Sequence, residues 1–164
     1  MENVATGAIK RIFAASGQTC TAGSRLFLHE AIAEAFLDRL TERAETIELG
    51  NPLEEGTEMD LLVSQSQYET VSEYVKEAVE AGATLLTGDE KRDNVPEGLF
   101  YPSTILTDVT SDMKLACEEV FGPVLAVLTF ATEAGATEKA NDSEYGLAAG
   151  VWTDDIRRGH RMAD

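Results

Sequence analysis

Gly122-Pro123-Val124-Leu125-Ala126-Val127-Leu128 is a run of five apolar residues behind a Gly-Pro turn. A strand with one wet face alternates apolar and polar residues. An unbroken apolar run of this length instead suits a parallel strand covered on both faces. The stretch therefore predicts a sheet with helices above and below it. Working outward toward the C-terminus, a helix is expected at about 132–141, then a strand from Leu147 to Trp152. A last helix begins near Asp154, which reads as its N-cap.

In the other direction, Phe100 to Leu106 and Ala83 to Thr87 read as strands on either side of a polar loop, Gly88 to Gly98. Ser64-Gln65-Ser66-Gln67 is a capping-box pattern. Tyr68, Val71, Val75 and Ala78 carry the apolar stripe of the helix behind it, and Gly82 stops that helix. Residues 50–63, punctuated by Gly50, Pro52 and Gly56, form a loop. A long helix is expected over about 30–48, with Ile32, Phe36, Leu40, Ala44 and Ile47 on its buried face. Ser24 to Leu28 reads as a strand. Residues 3–15 read as a helix, with Gly17 just past its end where a left-handed turn is needed. Strands alternating with helices argue for an α/β fold, a mostly parallel sheet flanked by helices. At 164 residues the chain suits one domain with one core.

Charge narrows the partners. With 13 basic and 30 acidic residues the formal net charge is −17, which repels phosphate backbones and anionic lipid, so no nucleic-acid or membrane partner is expected. No apolar run approaches the ~20 residues of a membrane span. The N-terminus does not read as a secretory signal, and a cytoplasmic setting follows. Cys20 and Cys117 are far apart, no Cys-x-x-Cys spacing occurs, and His29 and His160 are the two histidines, so no metal site is expected.

Two stretches carry chemistry. In Ser16-Gly17-Gln18-Thr19-Cys20-Thr21-Ala22-Gly23-Ser24-Arg25 a cysteine lies among small and polar residues. A thiolate can attack an electrophilic carbon, and the neighbouring glycines leave room for a substrate carbonyl and for close backbone approach. A backbone N–H at the cysteine could stabilise the resulting oxyanion. The competing reading is a buried, inert cysteine behaving as a small hydrophobe. In Glu118-Glu119-Val120-Phe121-Gly122-Pro123 the Gly-Pro turn leads into the buried strand, the adjacent acids read as solvated and Phe121 as packing in the core.

Gly17-Gln18-x-Cys20-x-Ala22-Gly23-Ser24-Arg25 resembles the nucleophile segment of the aldehyde dehydrogenase superfamily. Glu119-x-Phe121-Gly122-Pro123 is similar to that family's downstream motif, in the right order. The resemblance implies that Cys20 is the catalytic nucleophile, forming a thiohemiacetal and then a thioester from an aldehyde. It implies that Glu119 holds the nicotinamide-side ribose of NAD or NADP and that Phe121 packs beside the nicotinamide ring. Weaker matches are Gly50-Asn51-Pro52-Leu53 with Met59, Gly98 to Leu106, and Asn141 to Val151. One departure stands out: the family commonly has Gly-Pro after the methionine, and this chain has Asp60-Leu61.

The resemblance also implies what lies elsewhere. Family members are much longer, and their dinucleotide-binding domain and a general-base glutamate in a Glu-Leu-Gly-Gly stretch precede the cysteine. Residues 1–164 are therefore expected to be a single partial catalytic domain, without the cofactor-binding domain or the oligomerisation arm, and inactive in isolation. NAD or NADP would be bound by the full-length parent and not by this piece. The parent is expected to act on a small-molecule aldehyde as a homo-oligomer. Two other readings stay open: a non-catalytic, self-associating module, and a cysteine hydrolase using His29 or His160 as base.

Overall fold

The computed structural model describes residues 2–88 and 98–163. The elements run α1 (Glu2–Phe13), β1 (Arg25–His29), α2 (Glu30–Glu45), α3 (Gln65–Glu80), β2 (Thr84–Thr87), β3 (Thr104–Thr107), α4 (Lys114–Cys117), β4 (Val124–Phe130), α5 (Glu133–Asn141) and α6 (Ile156–Ala163). The four strands form one sheet in the order β1-β4-β3-β2. β4 is central and parallel to both β1 and β3, while β2 pairs antiparallel at the edge.

The unbroken apolar run is explained by its two faces. Val124, Ala126 and Leu128 join Val71, Val75 and Ala78 of α3 and Leu106 in one buried cluster. Leu125 and Val127 point the other way, into a cluster with Ile9 and Ile12 of α1, Phe36 and Leu40 of α2, and Ile105. All five residues of the run, Val124 to Leu128, are buried. Each of the larger ones contributes about 1.5–3 kcal/mol of hydrophobic stabilisation, so neither face tolerates a polar residue. The result is three layers: α1 and α2, the sheet, then α3 and α4.

Local signals account for the helix ends. Ser64 Oγ accepts from Gln67 N (3.1 Å) to cap α3, and Thr132 Oγ1 accepts from Gly135 N (3.1 Å) to cap α5. Gly82, at φ +108°, ends α3.

Several expectations are corrected. Ile32 is 44% exposed, because it lies at the first turn of α2, outside the stripe formed by Phe36, Leu40 and Ala44. β3 is shorter than expected: Phe100 to Ser103 are buried, but pairing to β4 begins only at Thr104. The stretch Leu147 to Trp152 is not a strand. It has no ladder partner among the described residues, and Leu147 and Trp152 are 67% and 58% exposed. α6 is capped by Asp155, whose Oδ1 accepts from Arg157 N at 2.9 Å, rather than by Asp154. Most of the expected polar loop, residues 89–97, lies outside the described residues. No helix among the described residues is long and apolar enough to cross a membrane.

Candidate active site

α1 ends at Phe13, and the chain then makes a turn that few sequences tolerate. Ala15, Ser16 and Gly17 are consecutively left-handed, at φ +51°, +55° and +69°. For the two residues with a Cβ this costs roughly 1–2 kcal/mol each, so surrounding contacts must hold the turn. Ser16 is buried, and its hydroxyl donates to Asp60, lying 2.7 Å from both the carbonyl oxygen and Oδ1. Gln18 bridges the same loop: its Nε2 donates to Leu61 O (3.3 Å) and its Oε1 accepts from Val63 N (2.9 Å). Beyond it, Ala22 N donates to Thr19 O (2.9 Å), closing a turn around Cys20 and Thr21. Gly23 N donates to Arg11 O (3.0 Å), fastening the far side to α1.

Cys20 is exposed and free, so the inert buried reading does not describe it. Cys117 is also exposed and free; its thiol donates to Ser111 O at 3.0 Å.

The second stretch meets the first. A Cβ on Gly17 would lie 2.0 Å from Gly122 O and 2.9 Å from Pro123 N, so the two backbones pack with no space for a side chain. Cys20 and Glu119 are each three residues from this junction, and both therefore lie within roughly 11 Å of it. Phe121 is left-handed (φ +55°) and 38% exposed. Its turn is held by Gln67, whose Nε2 donates to Val120 O (2.9 Å) and Phe121 O (3.0 Å). The Gln67 side chain is thus committed to this turn rather than to the second half of a capping box.

The adjacent acids differ. Glu118 Oε2 accepts from Tyr74 OH at 2.6 Å, with Lys114 Nζ 4.6 Å from the centre of the Tyr74 ring. Partial burial and then this bond to a carboxylate push the Tyr74 pKa up to about 12. Glu119 is exposed and has no hydrogen bond or ion pair among the described residues. An unengaged carboxylate beside an exposed aromatic ring suits a ligand that carries hydroxyls and a flat ring.

Neither histidine accompanies Cys20. His29 closes the far end of β1, where its Nδ1 accepts from Ala31 N (3.1 Å) to cap α2 and its ring meets Phe130 edge-on. His160 is on α6, which is tied to α5 by Arg158 and Arg161 on Glu133. Residues whose importance the sequence did not reveal are Ser16, Asp60 and Gln67. Asp60 is visible in the sequence only as a break in a pattern, and Gln67 as a cap residue.

The model of the aldehyde dehydrogenase family matches residues 1–164. The chain belongs to the aldehyde dehydrogenase family. It is 44% identical over 164 residues to betaine aldehyde dehydrogenase of Brucella anthropi, covering 99% of this chain and 34% of that one. It is 48% identical over 147 residues to betaine aldehyde dehydrogenase of Hordeum vulgare, covering 90% and 29%. Among solved structures, an NAD+ complex of aldehyde dehydrogenase from Bacillus cereus superposes with TM-score 0.93 at 43% identity, over 99% of this chain and 33% of that one. Betaine aldehyde dehydrogenase from Staphylococcus aureus, also in complex with NAD+, superposes with TM-score 0.95 at 36% identity, over 99% and 33%. The chain spans about a third of the length of the curated relatives it matches.

Proposed function

We propose that this aldehyde dehydrogenase chain carries the nucleophile and the nicotinamide-side half of the cofactor site of an enzyme that oxidises small aldehydes to carboxylic acids with NAD or NADP. The observation that carries this reading is the Gly17–Gly122 backbone contact, which brings an exposed thiol and an unengaged carboxylate to one junction. Cys20 Sγ would bond to the aldehyde carbon as its proton leaves to a base outside residues 1–164; loss of hydride from that carbon gives a thioester, which water hydrolyses to the acid, freeing the thiol. A bound nicotinamide supplies the hydride acceptor. Glu119 receives the ribose hydroxyls, and Phe121, held by Gln67, lines the ring. Residues 1–164 form part of a catalytic domain, and the activating base comes from outside them. A nucleophile that must remain a thiolate suits a reducing compartment, and we infer a cytoplasmic setting on that ground.

The test uses the complete polypeptide, following aldehyde-dependent reduction of NAD and NADP. Cys20→Ala drops turnover to the level of a no-enzyme control. Glu119→Gln raises the cofactor KM by about tenfold or more, the worth of a charged hydrogen bond. Full activity in Cys20→Ala overturns the reading. The isolated 164-residue chain does not turn over aldehyde, and sustained turnover by it would place the base within this segment.

A second reading rests on a separate observation. Tyr145, Leu147, Val151, Trp152 and Ile156 are exposed apolar side chains within one short stretch of chain, and such surface favours association. We propose that the chain self-associates through this surface as a homo-oligomer. Light scattering that shows a monomer at high concentration refutes it.

A further inference from the structure

We propose that Ser16 and Asp60 form a positioning pair for the nucleophile turn, with the Asp60 carboxylate as its anchor. The proposal rests on the reading of Cys20 as the nucleophile. The turn between α1 and Cys20 contains two left-handed residues that are not glycine, so it opens unless something outside it holds it shut. Two side chains of the turn reach the 60–63 loop. Gln18 takes two backbone groups of that loop. Ser16 is the buried member: it is 1% exposed, and its hydroxyl lies 2.7 Å from both a neutral and a charged oxygen of the same residue. A hydroxyl donating to a carboxylate makes a stronger bond than one donating to a carbonyl alone. Asp60 is the residue that supplies both of these oxygens. A glycine would offer Ser16 only the backbone oxygen. The aspartate adds a second, charged acceptor, and so sets how tightly the turn before Cys20 is closed.

The experiment follows amide hydrogen exchange in the complete polypeptide, together with alkylation of Cys20 by iodoacetamide, with Cys117 as an internal reference. Ser16→Ala removes the donor and speeds exchange at the Gln18 and Ala22 amides by about tenfold, which corresponds to about 1.4 kcal/mol. Asp60→Ala leaves the backbone acceptor and speeds it by about threefold or more, while Asp60→Asn, which keeps a side-chain oxygen, stays within about twofold. The Cys20 alkylation rate moves away from wild type in Ser16→Ala and Asp60→Ala and returns in Asp60→Asn. Cys117 and the β4 amides do not move. Unchanged exchange in Asp60→Ala overturns the proposal, as does a parallel change at Cys117 and β4, which means general loosening. Because none of these readouts needs turnover, they fail independently of the Cys20→Ala assay.

Discussion

Replacing Gly17 by alanine tests whether the nucleophile turn and the Glu119–Phe121 turn are built against each other. Two costs add at this position. An alanine at φ +69° sits in the left-handed region, at roughly 1–2 kcal/mol. Its Cβ would also lie 2.0 Å from Gly122 O and 2.4 Å from Gly122 C, both backbone atoms that no rotamer change can move aside. Overpacking of this kind costs typically 1–3 kcal/mol. A gain of about 0.4–1 kcal/mol from the stiffer unfolded chain offsets part of this, leaving a net loss of about 2–4 kcal/mol. That is a large share of the 5–15 kcal/mol typical of a domain. Gly56 is the control: it is left-handed at φ +97°, but a Cβ there meets nothing within 4 Å. Gly56→Ala bears the backbone term alone, about 1 kcal/mol after the same offset. In urea unfolding followed by circular dichroism, with a slope of about 2 kcal/mol/M, Gly17→Ala lowers the midpoint by about 1–2 M and Gly56→Ala by about 0.5 M. Equal losses in the two variants refute the close packing of the turns, and with it the observation on which the proposed site rests.

Three other outcomes follow from the same structure. Gly7 lies inside α1, and a Cβ there would meet Trp152 Cζ2 at 2.6 Å, the far end of an exposed side chain. Gly7→Ala therefore displaces the ring, shifting the emission of the chain's single tryptophan to the red, while helix propensity adds up to about 1 kcal/mol of stability. Tyr74 ionises well above the ordinary tyrosine value in a spectrophotometric titration. Its folded pKa, about 12, lies above the ordinary value of 10.0, so the stability it contributes is complete below pH 10 and is lost as pH rises toward 12; Glu118→Gln brings the titration back down. Glu133 is held below the usual carboxylate range by hydrogen bonds from Arg161 and then Arg158. The sign is opposite: the tie between α5 and α6 is present above the ordinary glutamate range and is lost as pH falls through the depressed value. Hydrogen exchange of the α6 amides reports its release, which begins at higher pH in Arg161→Gln.

Where local pattern and tertiary burial agreed, the sequence was legible. The β4 run, the Phe36–Leu40–Ala44 stripe and the Ser64 cap each state their environment in a few neighbouring letters, and each lies where that environment exists. The site was legible as two motifs but not as a mechanism of support. Ser16, Asp60 and Gln67 act across 44 to 54 residues of sequence, and a hydrogen bond to a distant carbonyl leaves no periodicity to read. Asp60 was noticeable only because it broke a family pattern, which suggests where such supports can be sought: at a polar residue replacing a glycine beside a strained turn.

Leu147 to Trp152 shows the limit of reading strands from composition. Its apolar, small-residue pattern resembles that of a sheet strand, yet the segment is irregular and exposed. Strand propensity measures how well side chains fit a half-buried pleated surface, and the backbone becomes a strand only when a neighbour completes the ladder. Among the described residues β1 pairs on one side only, to β4, at the edge of the sheet. Trp152 instead lies over Gly7 of α1, where the missing Cβ makes room for its ring. The segment thus satisfies its apolar side chains in part without ever forming the hydrogen bonds that its sequence anticipates. The same reasoning makes it the first place to look for added contacts when this chain meets another copy or more of its own polypeptide.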